Sequence, residues 1–68
     1  MNVLRVGDVL KYRYRSSDLI VMVTEIVGFY ECDTEFHAVT LAGANPGHIW
    51  RTMGVYDSNG VQLWFFLS

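Results

Sequence analysis

Turn-forming residues divide this 68-residue chain into five short segments, and that spacing constrains the fold more than any other feature. Glycine, proline, asparagine, aspartate and serine each favour turns for a conformational reason of their own. The intervening segments are rich in β-branched and aromatic residues, whereas strong helix formers do not cluster. The segments are Val9 to Arg15, Leu19 to Val27, Glu35 to Leu41, His48 to Tyr56 and Val61 to Leu67. We therefore predict an all-β fold.

Two connections are well defined by their residues. The sequence Ala-Gly-Ala-Asn-Pro-Gly at residues 42–47 predicts a loop, because proline fixes φ and glycine tolerates positive φ. The sequence Asp-Ser-Asn-Gly at residues 57–60 predicts a hairpin turn between the last two strands. The stretch from Phe29 to Thr34 is less determined, and a short helix there is the alternative to an extended connection.

The first segment alternates apolar or aromatic residues with basic ones, the period of a strand that is buried on one face. The predicted inward set is Leu10, Tyr12 and Tyr14, and the outward set is Lys11, Arg13 and Arg15. The basic set predicts an exposed, solubilising face, with contacts to nucleic-acid phosphates or to an acidic protein as the alternatives. Because residues of opposite parity face opposite ways, the tyrosines cannot stack on bases beside the basic groups.

The last segment also alternates, but both of its faces are apolar. Its uniformly apolar set, Val61, Leu63, Phe65 and Leu67, is predicted to face the core. Trp64 and Phe66 would then lie on the outer face, where two exposed aromatic side chains favour association. The alternative is that curvature of the sheet or the N-terminal segment covers them.

The length and composition favour one small domain spanning residues 1–68. Hydrophobic residues make up 51% and charged residues 18%, which excludes intrinsic disorder. Leu19 to Val27 is apolar on both faces and predicts a central or curling strand. Five short strands are too few for a two-sheet sandwich of immunoglobulin size, so we predict a small, strongly bent barrel.

A family resemblance supports the same architecture. Val6-Gly7-Asp8-Val9-Leu10, followed by a polar turn and the apolar stretch Val21 to Ile26, resembles the opening of many small SH3-like barrels. The loop from Gly43 to Gly47, the fourth segment and the C-terminal hairpin follow the same order. The chain is also similar to small SH3-like β-barrel proteins of bacterial or bacteriophage type. The resemblance implies a five-stranded SH3-like barrel that acts as a binding module and not as an enzyme.

The candidate ligands for a metal ion are few. Cys32, His37 and His48 are of the types that bind zinc or form a nucleophile with its base. A structural zinc site needs four ligands, and Asp33 or another carboxylate would have to complete the set without any Cys-x-x-Cys motif. We interpret the three as a free thiol and two ordinary histidines, and we predict no metal, no cofactor and no catalytic residue.

Charge gives one further candidate site. The formal net charge is −2, which argues against a chain that binds nucleic acid over its whole surface. Glu31, Asp33 and Glu35 alternate and would place three negative charges on one edge. Edge strands use charge to prevent unwanted pairing, and a contact with a basic partner is the alternative.

The expected compartment is the cytoplasm. The single cysteine forms no internal disulfide, and small secreted domains usually carry several. Charges at Arg5 and Asp8 interrupt any signal peptide, and the longest apolar runs have five residues where a membrane helix needs about 20. We therefore expect no membrane partner.

These observations predict a small intracellular protein-interaction module, an adaptor, inhibitor or assembly subunit. It would dock on a protein partner or self-associate into a homo-oligomer through its aromatic C-terminal strand. The predicted partner-binding residues are Trp64, Phe66, Arg13 and Arg15. The alternative is a small barrel that binds nucleic acid through Lys11, Arg13 and Arg15.

Overall fold

The computed structural model describes residues 3–14, 18–43 and 45–67, which form one antiparallel sheet of five strands. The strands are β1 (Val9–Tyr12), β2 (Ile20–Phe29), β3 (Thr34–Ala42), β4 (Ile49–Gly54) and β5 (Trp64–Phe66). No helix occurs in these residues, so the all-β prediction is confirmed. The alternative helix from Phe29 to Thr34 is wrong, because β2 extends through Phe29 and a tight turn follows. The amides of Tyr30 and Asp33 each donate to the other's carbonyl, at 2.7 and 3.3 Å.

The order of strands across the sheet is β4-β3-β2-β1-β5, and this ladder does not close on itself. Among the described residues, the chain just after β4 and the chain just before β5 join the two outermost strands at one end. There, the Leu63 amide donates to the Val55 carbonyl at 2.7 Å, and Tyr56 forms an isolated bridge with Gln62. Register shifts in the β2–β3 and β3–β4 pairings interrupt the regular ladder, and such bulges bend the strands that carry them.

Both predicted turns are present. The Asp57 amide donates to the Val61 carbonyl at 2.9 Å, and Gly60 adopts φ +80°, which a residue without Cβ tolerates. The Asp57 carboxylate accepts hydrogen bonds from the amides of Asn59 and Val61, both at 2.9 Å. In the other loop the Gly47 amide donates to the Thr40 carbonyl at 2.9 Å. The hairpin therefore has the side-chain support that an aspartate at its first position supplies.

The core lies on the inner face of the sheet. Its buried residues are Leu4, Leu10, Leu19, Val21, Val23, Phe36, Ala38 and Trp64. The predicted inward orientation of Leu10 is confirmed, and Tyr12 packs against the core half-buried. Tyr14 is 50% exposed and so is not buried, although its ring lies against that of Tyr12, with ring centroids 5.4 Å apart. Strand β1 ends at Tyr12, and beyond a strand end the alternation no longer fixes which way a side chain points.

The predicted faces of the last strand are wrong for Trp64, Phe65 and Leu67, whereas Leu63 packs against the core and Phe66 is exposed, as predicted. Trp64 is only 4% exposed, and its ring centroid lies 4.9 Å from that of Tyr12 and 6.5 Å from that of Phe36. Phe65 and Leu67 are instead exposed. Register explains the reversal: Trp64 lies directly opposite Tyr12, and opposite residues share a face. Trp64 is thus a core residue and not part of an outer aromatic surface.

Candidate functional site

The outer face of the sheet carries a continuous apolar row that crosses every strand. Val9 lies opposite Met22, Met22 opposite Val39, and Val39 opposite Ile49. At the other end, the Leu67 amide donates to the Val9 carbonyl at 2.8 Å, which places Leu67 beside Val9. Because opposite residues share a face, these five side chains form one line, here called the cross-strand row.

A second line of residues widens this surface on one side. Lys11 lies opposite both Phe65 and Ile20. Leu41, which is 49% exposed, is the extra residue of the bulge in β3 opposite Ile20. We call the two lines together the outer apolar patch. It consists of Leu67, Val9, Met22, Val39, Ile49, Phe65, Lys11, Ile20 and Leu41. At about 4.8 Å between strands and about 3.4 Å per residue, it covers on the order of 300 Å².

Among the described strands, extensive contacts occur between hydrogen-bonded neighbours, and no strand packs as a second layer on the outer apolar patch. Val9, Met22 and Val39, at the centre of the cross-strand row, are half-buried. Leu67 and Ile49, at the two ends of the cross-strand row, are 51% and 55% exposed, and Phe65 is 42% exposed. Lys11 is the one charged member of the patch. On the other side of the cross-strand row the surface turns polar, where Glu25 lies opposite His37. The result is an apolar surface with a polar border, the usual anatomy of an interface.

Few of the predicted partner-binding residues contribute to this surface. Arg13 is exposed beside Lys11 and Phe65, with which it lines a shallow depression. Phe66 is 39% exposed but shares the inner parity of Trp64, and Arg15 lies outside the described residues. Sequence reasoning missed the cross-strand row, although the sequence contained its signal: β2 is apolar on both faces.

The inner side of the sheet opens into an aromatic groove of about 370 Å³ between the β4 end and the β1–β5 edge. Its lining includes Tyr12, Trp50, Tyr56 and Trp64, and none of the described residues that line it is charged. The Trp50 indole donates to the Thr40 hydroxyl at 2.8 Å, which fixes one wall. Because Tyr12, Trp50 and Trp64 also pack the core, the groove is held in shape by the interactions that hold the fold together.

Asp33 ties the turn after β2 to the end of β4. Its Oδ1 accepts hydrogen bonds from the Val55 amide at 2.8 Å and from its neighbour Thr34 at 2.7 Å. Its Oδ2 accepts from the Tyr56 amide at 3.2 Å. The three predicted edge carboxylates therefore differ in role, since Glu35 accepts from the Tyr30 hydroxyl at 3.3 Å and Glu31 lies exposed in the turn.

The candidate ligands for a metal ion are not brought together. Among the described residues, no three His, Cys, Asp or Glu side chains could share a metal ion. Cys32 is exposed in the turn after β2, and His48 stacks edge-on against Trp50, with ring centroids 4.7 Å apart. The Asp33 carboxylate is occupied by backbone amides. These residues thus give no support for a metal centre or a thiol-imidazole pair.

The basic face of β1 gives a direct test of nucleic-acid binding. Lys11 is half-buried among apolar neighbours and Arg13 is exposed. Replacing Lys11, Arg13 and Arg15 together by glutamine should change the free energy of unfolding by less than about 1 kcal/mol, because isolated surface charges contribute little. Urea unfolding measures this. Salt-sensitive binding of the wild-type chain to random DNA or RNA, lost in the triple variant, would instead favour the nucleic-acid alternative.

No protein-family model, curated protein or solved structure matches the chain. In the part of the chain that the structure describes, no helix is long and apolar enough to cross a lipid bilayer.

Proposed function

We propose that this protein is a small protein-interaction module that docks through its outer apolar patch. Such a module serves as an adaptor, an inhibitor or an assembly subunit. It acts by occupying a surface of its partner or by forming an assembly, and it catalyses no reaction. The observation that carries the proposal is the cross-strand row, in which each of the five strands, or the residue next to it, contributes one apolar side chain to an uncovered face.

Physical chemistry favours this use of the outer face. A sheet with one face on the core normally carries polar side chains on the other, which gives a clean alternation along each strand. Here Met22 and Val39 break that alternation at the centre of the sheet, because both are apolar and both lie on the outer face. At on the order of 300 Å², the patch is comparable to the largest apolar patch of a typical monomer, and that patch is often a functional site.

The proposal keeps the C-terminal strand in the interface but changes which residues act. Phe65 and Leu67 replace Trp64 as the contact residues of this strand, since they face outward. Arg13 stands at the border beside Phe65, where a charge contributes to orientation and association rate more than to affinity. Phe66 remains a candidate contact from the inner side of β5.

We also propose that the sheet curls into the five-stranded SH3-like barrel that the sequence resemblance implies. The strand order supports this, because every sequential pair from β1 to β4 is adjacent and β5 returns to the free side of β1. The hydrogen bond between Leu63 and Val55 supports it as well, since it draws the two edges of the sheet together at one end.

The proposal is tested by placing one charge in the centre of the patch. Met22→Glu should abolish capture of a partner protein from the source-cell lysate, because burying an unpaired carboxylate in an apolar interface costs several kcal/mol. The measurement is affinity capture with the tagged wild-type and variant chains, followed by identification of the bound protein. A copy of this chain counts as a partner in that experiment.

The matched control is Phe29→Glu, which makes the same kind of change on the same strand. Phe29 is 64% exposed and lies at the far end of β2, outside the outer apolar patch. This variant should capture the same partner as the wild type, and both variants should keep a β-type circular dichroism spectrum. Equal capture by Met22→Glu and the wild type, with both folded, would rule out the patch as the docking surface.

A further inference from the structure

We propose that the partner of the outer apolar patch is a second copy of this chain, stacked face to face about a two-fold axis parallel to the cross-strand row. This inference rests on the proposed function, because it names the occupant of the same surface. The shape of the patch, the area that a stable dimer needs and the charges on either side of the row support it.

The shape of the patch suits a second sheet. The cross-strand row has Met22 at its centre and ends at exposed aliphatic residues on both sides, Leu67 and Ile49. Two stacked sheets pack about 10 Å apart, with side chains of the facing surfaces interdigitating. A row with no charge in it is complementary to itself, since each apolar side chain of one copy meets apolar side chains of the other.

The area that a stable interface needs also favours a sheet over a narrower partner. A specific interface should bury about 1,000 Å² in total, or about 500 Å² on each side. The patch supplies on the order of 300 Å², so the contact must extend onto its borders. A single helix about 10 Å wide would cover little more than one line of residues. A second copy, whose body measures 31 × 23 × 21 Å, is large enough to reach over the patch and both borders.

The charges next to the row are complementary under this symmetry. Lys11 lies on one side of the cross-strand row, and Glu25 lies on the other. Neither has an ion-pair partner among the residues that the structure describes. A two-fold axis along the row exchanges its two sides, so that each Lys11 comes over the strip that carries Glu25 in the other copy. The formal net charge of −2 keeps repulsion between the copies small.

Sedimentation equilibrium of the full chain at low ionic strength tests this arrangement. The wild type should show a monomer–dimer equilibrium. Lys11→Glu and Glu25→Lys should each raise the dimer dissociation constant about tenfold, because each variant places two pairs of like charges across the interface. Mixing the two variants in equal amounts should restore association to at least the wild-type level, since every pair then joins one carboxylate with one ammonium group.

The mixing experiment separates this two-fold contact from other associations. A dimer that both single variants leave unchanged would overturn the proposed arrangement, and so would two variants that stay monomeric when mixed. If the wild type is a monomer up to millimolar concentration, self-association is wrong. In that case, capture of a different protein by the wild type, lost in Met22→Glu, would support the proposed docking function and contradict only the self-association. Capture of no protein would contradict both proposals.

Discussion

Trp64→Ala is expected to lower the free energy of unfolding by about 3 to 5 kcal/mol, which would unfold much of a domain of this length. Trp64 is buried, and its indole packs against both Tyr12 and Phe36. Truncation therefore removes a large apolar surface and leaves a cavity where β1, β3 and β5 meet. Urea unfolding followed by far-ultraviolet circular dichroism measures the loss.

The neighbouring residue supplies the control. Phe65→Ala removes an aromatic side chain of similar size that is 42% exposed on the opposite face, and should cost less than about 1 kcal/mol. Both variants are to be measured at two protein concentrations, because association through Phe65 would add to the apparent stability of the wild type. A larger loss for Phe65→Ala than for Trp64→Ala would contradict the assignment of faces in β5.

Asp33→Ala should lower the free energy of unfolding by about 2 to 4 kcal/mol. The substitution removes the acceptor for three backbone amides, those of Thr34, Val55 and Tyr56. Hydrogen bonds to a charged group each contribute about 1.5 to 3 kcal/mol, but none of these three residues is fully buried, so water replaces a large part of that sum. Glu31→Ala, in the same turn, should change stability by less than about 0.5 kcal/mol, because the Glu31 side chain is exposed.

A second variant tests the same contact from the opposite side. A Cβ at Gly54 would collide with the Asp33 carboxylate, so Gly54→Ala should displace that carboxylate and destabilise the protein. In the Asp33→Ala background the same change should cost markedly less, since the obstructing group is gone. Equal costs in the two backgrounds would show that Asp33 does not hold the end of β4.

Local sequence patterns determined the kind of fold. The turn residues at 57–60 and 42–47 act through φ preferences and short-range hydrogen bonds, which operate whatever surrounds them. The excess of β-branched and aromatic residues between them leaves extended strands as the favourable state. The all-β class, the hairpin and the inward orientation of Leu10 follow from these local terms. The predicted bounds of β5 were too wide, because only residues 64–66 pair regularly with β1.

Only the tertiary structure decided which face of an apolar strand is buried. In β5 the alternation offers two apolar sets of equal period, and nothing within the strand distinguishes them. The choice came from pairing with β1, where Trp64 lies opposite Tyr12 and Phe65 opposite Lys11. A shift of one residue in that register would exchange the faces, so the outcome depends on contacts between strands far apart in sequence. The outer apolar patch has the same origin, because its row exists only once the registers of all five strands are set.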